Sequence, residues 1–239
     1  DGEFVNSLER YDPSTNEWEE DAVAPMPTPR RYIGTAVLDG KFYAVGGVER
    51  NVGLSPSVER YDLATKAWEA VAAIGTTRAN LAAVVLDGKL YAVGGFGGGY
   101  NGLSSVERYD PALDAWEAVA PMETALACCG VAALDGKLYA VGGIDDDGGS
   151  SSLERYDPAT NAWEEMAPMA TARIGCGVAV LDGKLYAAGG FHDEGGGYLN
   201  SVERYDPAAN AWEEVAPMGT ARQIPFDTTQ ESRHGGARW

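Results

Sequence analysis

Apolar and polar positions alternate along this chain in one fixed order. A run such as GVAVL (177 to 181) is apolar at nearly every position, Asp182-Gly183 interrupts it, and KLYAA returns. A continuous apolar run predicts a strand covered on both faces. Asp-Gly, whose two turn positions need positive φ, predicts a two-residue hairpin. After a Gly-Gly pair and a loop of variable length come SVERYD, an Asp-Pro-x-x-Asn turn and AWEEVAPM, which together predict a second hairpin. Each unit thus reads as four short antiparallel strands.

The unit recurs. SLERYDPSTNEW (7 to 18), SVERYDLATKAW (57 to 68), SVERYDPALDAW (105 to 116), SLERYDPATNAW (152 to 163) and SVERYDPAANAW (201 to 212) alternate with LDGKFYAVGG, LDGKLYAVGG twice, and LDGKLYAAGG. Tyr11, Tyr61, Tyr109, Tyr156 and Tyr205 mark spacings of 50, 48, 47 and 49 residues. A drifting period indicates one structural unit with loops of variable length. Tyr and Trp stand seven residues apart in every copy, on adjacent strands, where their rings can stack. A lone four-stranded sheet leaves both faces bare, and radial stacking of such sheets covers them, so the predicted fold is all-β, a β-propeller.

The Gly-Gly pair, the Tyr/Trp spacing and the period together resemble the kelch repeat over residues 7 to 222. The VERYDP…W and LDGKLYAVGG wording is most similar to the kelch domains of BTB/cullin-type ubiquitin-ligase adaptors. The expected organisation is a half blade (1–26), four blades (about 27–75, 76–122, 123–169 and 170–218) and a non-repeat, irregular tail (219–239). Residues 7 to 26 supply only strands three and four, and the tail RQIPFDTTQESRHGGARW has no Asp-Gly hairpin and no apolar run like those of the repeats. An incomplete ring is therefore expected, a fragment of a propeller of five or six blades.

Composition refines this picture. The chain has 239 residues, 45% of them hydrophobic, enough for a sizeable core. Its net charge of −18 argues against nucleic acid or an anionic membrane as partner. Most of that charge lies in the five SxERYD…WEx segments, so it decorates the outer strands and promotes solubility rather than marking a site. The recurring Glu-Arg pairs read as polar contacts between blades. Three cysteines are too few for a disulfide framework, and no apolar run or basic leader suggests a membrane span or signal peptide, so a soluble, cytoplasmic chain is expected.

Function is expected where the repeats differ. The loops VERNVGLSP (48 to 56), FGGGYNGLSS (96 to 105), IDDDGGSSS (144 to 152) and FHDEGGGYLNS (191 to 201) should gather on one face, with the residues preceding each inner strand. The resemblance to adaptor-type kelch domains implies that Arg30, Arg78 and Arg173, with Arg222 at the same position, reach into that face and bind acidic peptide groups. A planar guanidinium fork suits carboxylates. Leu126 breaks the set, and an ion pair within the blade is the competing reading for each arginine. Tyr100, Asn101, Tyr198 and Asn200 are candidate peptide contacts, with loop packing as their alternative.

No enzyme chemistry emerges. His192 and His234 are too few for a radical-copper site, and Asp145, Asp146 and Asp147 lack the alternating spacing of a calcium loop. Cys129 and Cys176 read as buried structural thiols. No cofactor or metal is implied. The function expected is that of a protein–protein interaction module binding a protein or acidic peptide, as substrate receptor of a cullin ubiquitin-ligase adaptor. An actin-binding cytoskeletal scaffold is the alternative, and a kelch-type propeller enzyme the less favoured third.

Overall fold

The structure, a computed structural model, describes residues 4, 6–19, 23–194 and 196–222. Most of the predicted tail therefore lies outside the described residues.

The Asp-Gly pair of each Leu-Asp-Gly-Lys turn closes a hairpin as its chemistry requires. Asp39, Asp87, Asp135 and Asp182 sit at φ near 50°, and the glycines that follow at about 70°. The resulting blades are four-stranded antiparallel meanders. Blade 1 comprises Gly34–Leu38, Lys41–Val45, Val58–Asp62 and Ala67–Val71; blade 2, Ala82–Leu86, Lys89–Val93, Val106–Asp110 and Ala115–Val119. Blade 3 comprises Gly130–Leu134, Lys137–Val141, Leu153–Asp157 and Ala162–Glu165; blade 4, Gly177–Leu181, Lys184–Ala188, Val202–Asp206 and Ala211–Val215. Ahead of them Arg10–Asp12 and Glu17–Glu19 pair as an isolated outer hairpin, the half blade. First strands of neighbouring blades lie side by side and are the innermost. The sheets stack as propeller blades; among the described residues no helix is long and apolar enough to cross a membrane.

The opposed Tyr and Trp stack as their spacing predicts. In the four full blades their ring centroids lie 5.2–5.4 Å apart with tilts of 38–53°. The same residues also weld blade to blade. Nε1 of Trp68, Trp116, Trp163 and Trp212 donates to the carbonyl of Ala24, Ala72, Ala120 and Ala167 in the preceding blade, at 2.7–2.9 Å. Oδ1 of Asp114, Asn161 and Asn210, each a left-handed residue closing the Asp-x-x-x turn, accepts the N–H of Ala72, Ala120 and Ala167. The tyrosine hydroxyl of the same repeat donates to that Oδ1 at 2.7–2.9 Å. A third layer comes from edge contacts of Tyr43 with Tyr109 and Tyr91 with Tyr156 and a tilted pair, Tyr139 with Tyr205, with centroids 5.9–6.2 Å apart.

The Glu-Arg pairs do something other than bridge blades, because consecutive strand residues face opposite ways. The arginines Arg60, Arg108, Arg155 and Arg204 point outward to Glu69, Glu117, Glu164 and Glu213 on the neighbouring strand of their own blade. The glutamates Glu59, Glu107, Glu154 and Glu203 point inward and are buried. The lysine of each Asp-Gly-Lys pairs with the aspartate of Arg-Tyr-Asp: Lys41 with Asp62, Lys89 with Asp110, Lys137 with Asp157, Lys184 with Asp206. Its hydrogen bond to Lys41, reinforced by backbone N–H groups, draws the Asp62 carboxyl down to about 2.

Candidate functional site: the loop face

The loop after each second strand lies against the segment that precedes the inner strand. Arg30–Arg31 pairs with Val48–Glu49, and single bridges join Ala79 to Phe96, Ala127 to Ile144 and Ile174 to Phe191. The variable loops and the inter-blade linkers therefore share one end of the blades. Three loops form small ribbons of their own, Val48–Glu49 with Gly53–Leu54, Ile144–Asp145 with Gly148–Gly149, and Phe191–His192 with Gly197–Tyr198; the fourth makes a short 3₁₀ turn, Gly98–Tyr100.

The arginines before the inner strands are placed elsewhere than expected. Arg30, Arg78 and Arg173 are at most 1% exposed, and this corrects the expectation that they reach into the binding face. Arg78 Nη1 donates to the carbonyls of Gly94 and Ser105 at 2.7 and 2.9 Å, and Nη2 to Glu107 at 2.9 Å. Arg30 repeats this with Gly46, Ser57 and Glu59, and Arg173 with Gly189, Ser201 and Glu203. Burial depresses the Arg78 guanidinium below its ordinary value while Glu107 raises it. The carboxylates also accept backbone N–H groups of the linker: Glu107 those of Gly75 and Thr76, Glu203 those of Ala170 and Thr171. Each cluster locks the entry to an inner strand.

Blade 3 departs from this pattern. Leu126, fully buried, replaces the arginine, and Glu154 keeps only the linker N–H groups of Glu123 and Thr124, at 2.8 and 2.9 Å. Arg222 holds the same backbone position at the end of the series. Its N–H donates to Leu199 O and its carbonyl accepts from Gly190 N, and its side chain is exposed.

Of the other candidate contacts, Tyr198 is 60% exposed and packs edge-on against Phe191 at 5.8 Å. Asn101 is exposed. Asn200 is exposed too, but its Nδ2 donates to Met218 O at 3.1 Å, the bond that Asn6 makes to Met26 O. Only the backbone of Tyr100 is described.

Residues not singled out in the sequence complete the face. Tyr32, Asn80, Cys128 and Gly175 all have positive φ, and Asn80 N donates to Tyr32 O, Cys128 N to Asn80 O, and Gly175 N to Cys128 O at 2.9–3.0 Å. This chain of bonds runs from blade to blade at the point where each inner strand begins. Asn80 and Gly175 are residue types that tolerate the left-handed region, a signal available in sequence; Tyr32 and Cys128 carry no such signal. Beside blade 1, a cleft of about 460 Å³ is lined by Phe4, Thr28, Pro29, Glu49 and Arg50. The guanidiniums of Arg31 and Arg50 lie 4.9 and 5.4 Å from the Phe4 ring centroid.

Burial pushes the Cys129 thiol up to about 12 and that of Cys176 to about 11. Both should resist iodoacetamide in the native protein and react fully in denaturant, as read by tandem mass spectrometry. Rapid native modification of either would overturn their assignment to the core. Among the described residues, no group of three or more His, Cys, Asp or Glu side chains is arranged to hold a metal.

The blades and their loop face define a β-propeller of repeated four-stranded units. The kelch motif matches residues 29–73, 77–123, 125–170 and 172–219, and the chain belongs to the kelch family. Relatives include an F-box/kelch-repeat protein of Arabidopsis thaliana, At1g22040, 47% identical over 70 residues, which are 28% of this chain and 14% of that protein. Kelch-like ECH-associated protein 1A of Danio rerio is 51% identical over 41 residues, 17% of this chain and 6% of that protein. Kelch-like protein 41a of Danio rerio is 42% identical over 65 residues, 27% of this chain and 10% of that protein. The matched stretches thus span a small part of each relative. The solved structure of YjhT superposes with a TM-score of 0.78 at 18% identity, covering 91% of this chain and 80% of that one, a likeness of fold.

Proposed function

We propose that this chain is a recognition module that binds a protein or peptide segment on its loop face, as the substrate-receiving part of a ubiquitin-ligase adaptor. The observation that supports it is the division of labour within the blades. The repeated residues are spent on stacking, welding and buried ion pairs, whereas the residues that differ gather at one end, with Tyr198 and Val52 60% and 71% exposed there. Tyrosine offers a large contact area at small entropic cost. The adaptor role draws on the kelch-like and F-box/kelch relatives. With three arginines buried, Arg50 and Arg222 are the exposed guanidiniums near this end to meet an acidic segment; Tyr100, Asn101 and Asn200 complete the proposed contact set.

The test is capture of partners from cell extract, followed by measured affinity for the partner so identified. Tyr198→Ala combined with Asn101→Ala should weaken binding tenfold or more, within the range of interface anchors. Glu164→Ala, on the outer strands, should leave it unchanged. Equal binding by all three proteins would remove the loop face from the proposal.

A further inference from the structure

The loop of blade 2 places an amide side chain next to a backbone nitrogen that nothing shields. Of the eight asparagines in the chain, Asn101 alone is followed by glycine. A residue with a Cβ at the next position screens its own N–H from the asparagine side chain, and glycine does not. The other asparagines are also held. Asn6 and Asn200 donate through Nδ2 to Met26 O and Met218 O. Asn161 and Asn210 each accept at Oδ1 from a tyrosine hydroxyl and from an N–H of the preceding blade.

Asn101 is exposed and closes the small turn Gly98–Tyr100. Its carbonyl accepts the Gly97 N–H at 2.9 Å, and Leu103 N donates to Gly95 O at 2.9 Å. These two bonds flank the single bridge between Phe96 and Gly102, which leaves the Gly102 N–H directed out of the bridge and, among the described residues, without an acceptor. Asn101 stands at φ −79°, ψ 142°, so its ψ must turn before the Gly102 nitrogen meets Cγ. Gly97, Gly98 and Gly99 precede it, and glycines accommodate such a turn without a Cβ clash.

We infer that Asn101-Gly102 is a self-modifying site, where the Gly102 nitrogen attacks the Asn101 side chain and converts the amide to a carboxylate. Hydroxide removes the Gly102 proton, the N–Cγ bond forms and the Cγ–Nδ2 bond breaks. Nδ2 takes a proton from water and leaves as ammonia, closing a five-membered succinimide. Water then opens the ring. Attack at Cγ restores the chain with aspartate, and attack at the backbone carbonyl routes the chain through the side chain as isoaspartate. Water is the only co-reactant. The product places a new negative charge, and in the isoaspartyl form an extra backbone carbon, within the proposed contact set. That consequence rests on the loop-face reading; the chemistry does not.

The test is incubation of the folded protein at mildly alkaline pH, with peptide mapping by tandem mass spectrometry. Residue 101 should gain the mass difference between NH2 and OH, with isoaspartate as the larger product, accepting a methyl group from S-adenosylmethionine through an isoaspartyl methyltransferase. Conversion should run on the order of tenfold faster than at Asn51, which is exposed but followed by β-branched Val52. Asn101→Gln should abolish it. Gly102→Ala, whose Cβ would lie 3.2 Å from Ala125 O, should slow it by a similar factor, with circular dichroism confirming the fold of both variants. A synthetic peptide of residues 96–105 supplies the unrestrained rate. Complete conversion of that peptide while residue 101 of the protein stays intact would overturn the inference, as would aspartate without isoaspartate or an equal rate in Gly102→Ala. Conversion with unchanged affinity for a captured partner would uphold the modification and remove Asn101 from the contact set.

Discussion

Arg78→Ala is expected to lower the unfolding free energy by about 3–5 kcal/mol, the cost of stranding a buried charge whose partner is removed. Glu107, 6% exposed, would keep its two linker N–H donors but lose the guanidinium, the Gly94 carbonyl would lose its donor, and the Ser105 carbonyl would keep the Gly94 N–H at 3.3 Å. Blade 3 supplies the comparison. There a fully buried leucine stands at the arginine's position in the repeat and the two backbone bonds to Glu154 persist, so Arg78→Leu, which leaves the smaller cavity, should cost less than Arg78→Ala. Arg60→Ala breaks a pair whose glutamate is half in solvent, and should cost below about 1 kcal/mol. Guanidinium denaturation at constant m-value ranks the three. If Arg78→Ala fell with Arg60→Ala, the buried cluster would not be what holds the inner strand's entry.

The same arginines show where sequence reasoning reached and where it stopped. The Asp-Gly turns, the four-strand unit and the Tyr/Trp pair were legible because each is local: backbone φ, strand alternation and a seven-residue spacing leave few ways to fold. The destination of Arg78 was not legible, since its partners lie 16 to 29 residues away and an arginine before a loop reads equally as a ligand contact or an ion pair. Residue type gave no means of choosing between them. The recurrence of Glu alongside Arg was a usable clue, for a glutamate that falls on an inward strand position in all four full blades needs a cation or backbone donors. Blade 3, with Leu126 at the arginine's position and Glu154 unchanged, shows that backbone donors serve in one blade. The left-handed bonds of Tyr32 and Cys128 were hidden for a different reason: they exist only once neighbouring blades are docked.

Trp163→Ala should be nearly as costly as the arginine change, and its comparison with Trp18→Ala isolates the interface between blades. Trp163 is 8% exposed, donates to Ala120 O at 2.9 Å and stacks on Tyr156 at 5.2 Å. Truncation there removes a large buried ring and orphans a carbonyl of the preceding blade, a loss of about 3–5 kcal/mol. Trp18 stands at the same place in the repeat, pairs with its own tyrosine at 5.4 Å and is 64% exposed. Because propensity, turn and stacking partner match, the two substitutions differ chiefly in whether another blade lies against the ring. Trp18→Ala should cost below about 1 kcal/mol, as exposed substitutions do. Equal losses would mean that tryptophan stabilises each hairpin from within. Unequal losses would show that the most repeated stretch of the chain acts chiefly between blades, where no single repeat can display its contribution.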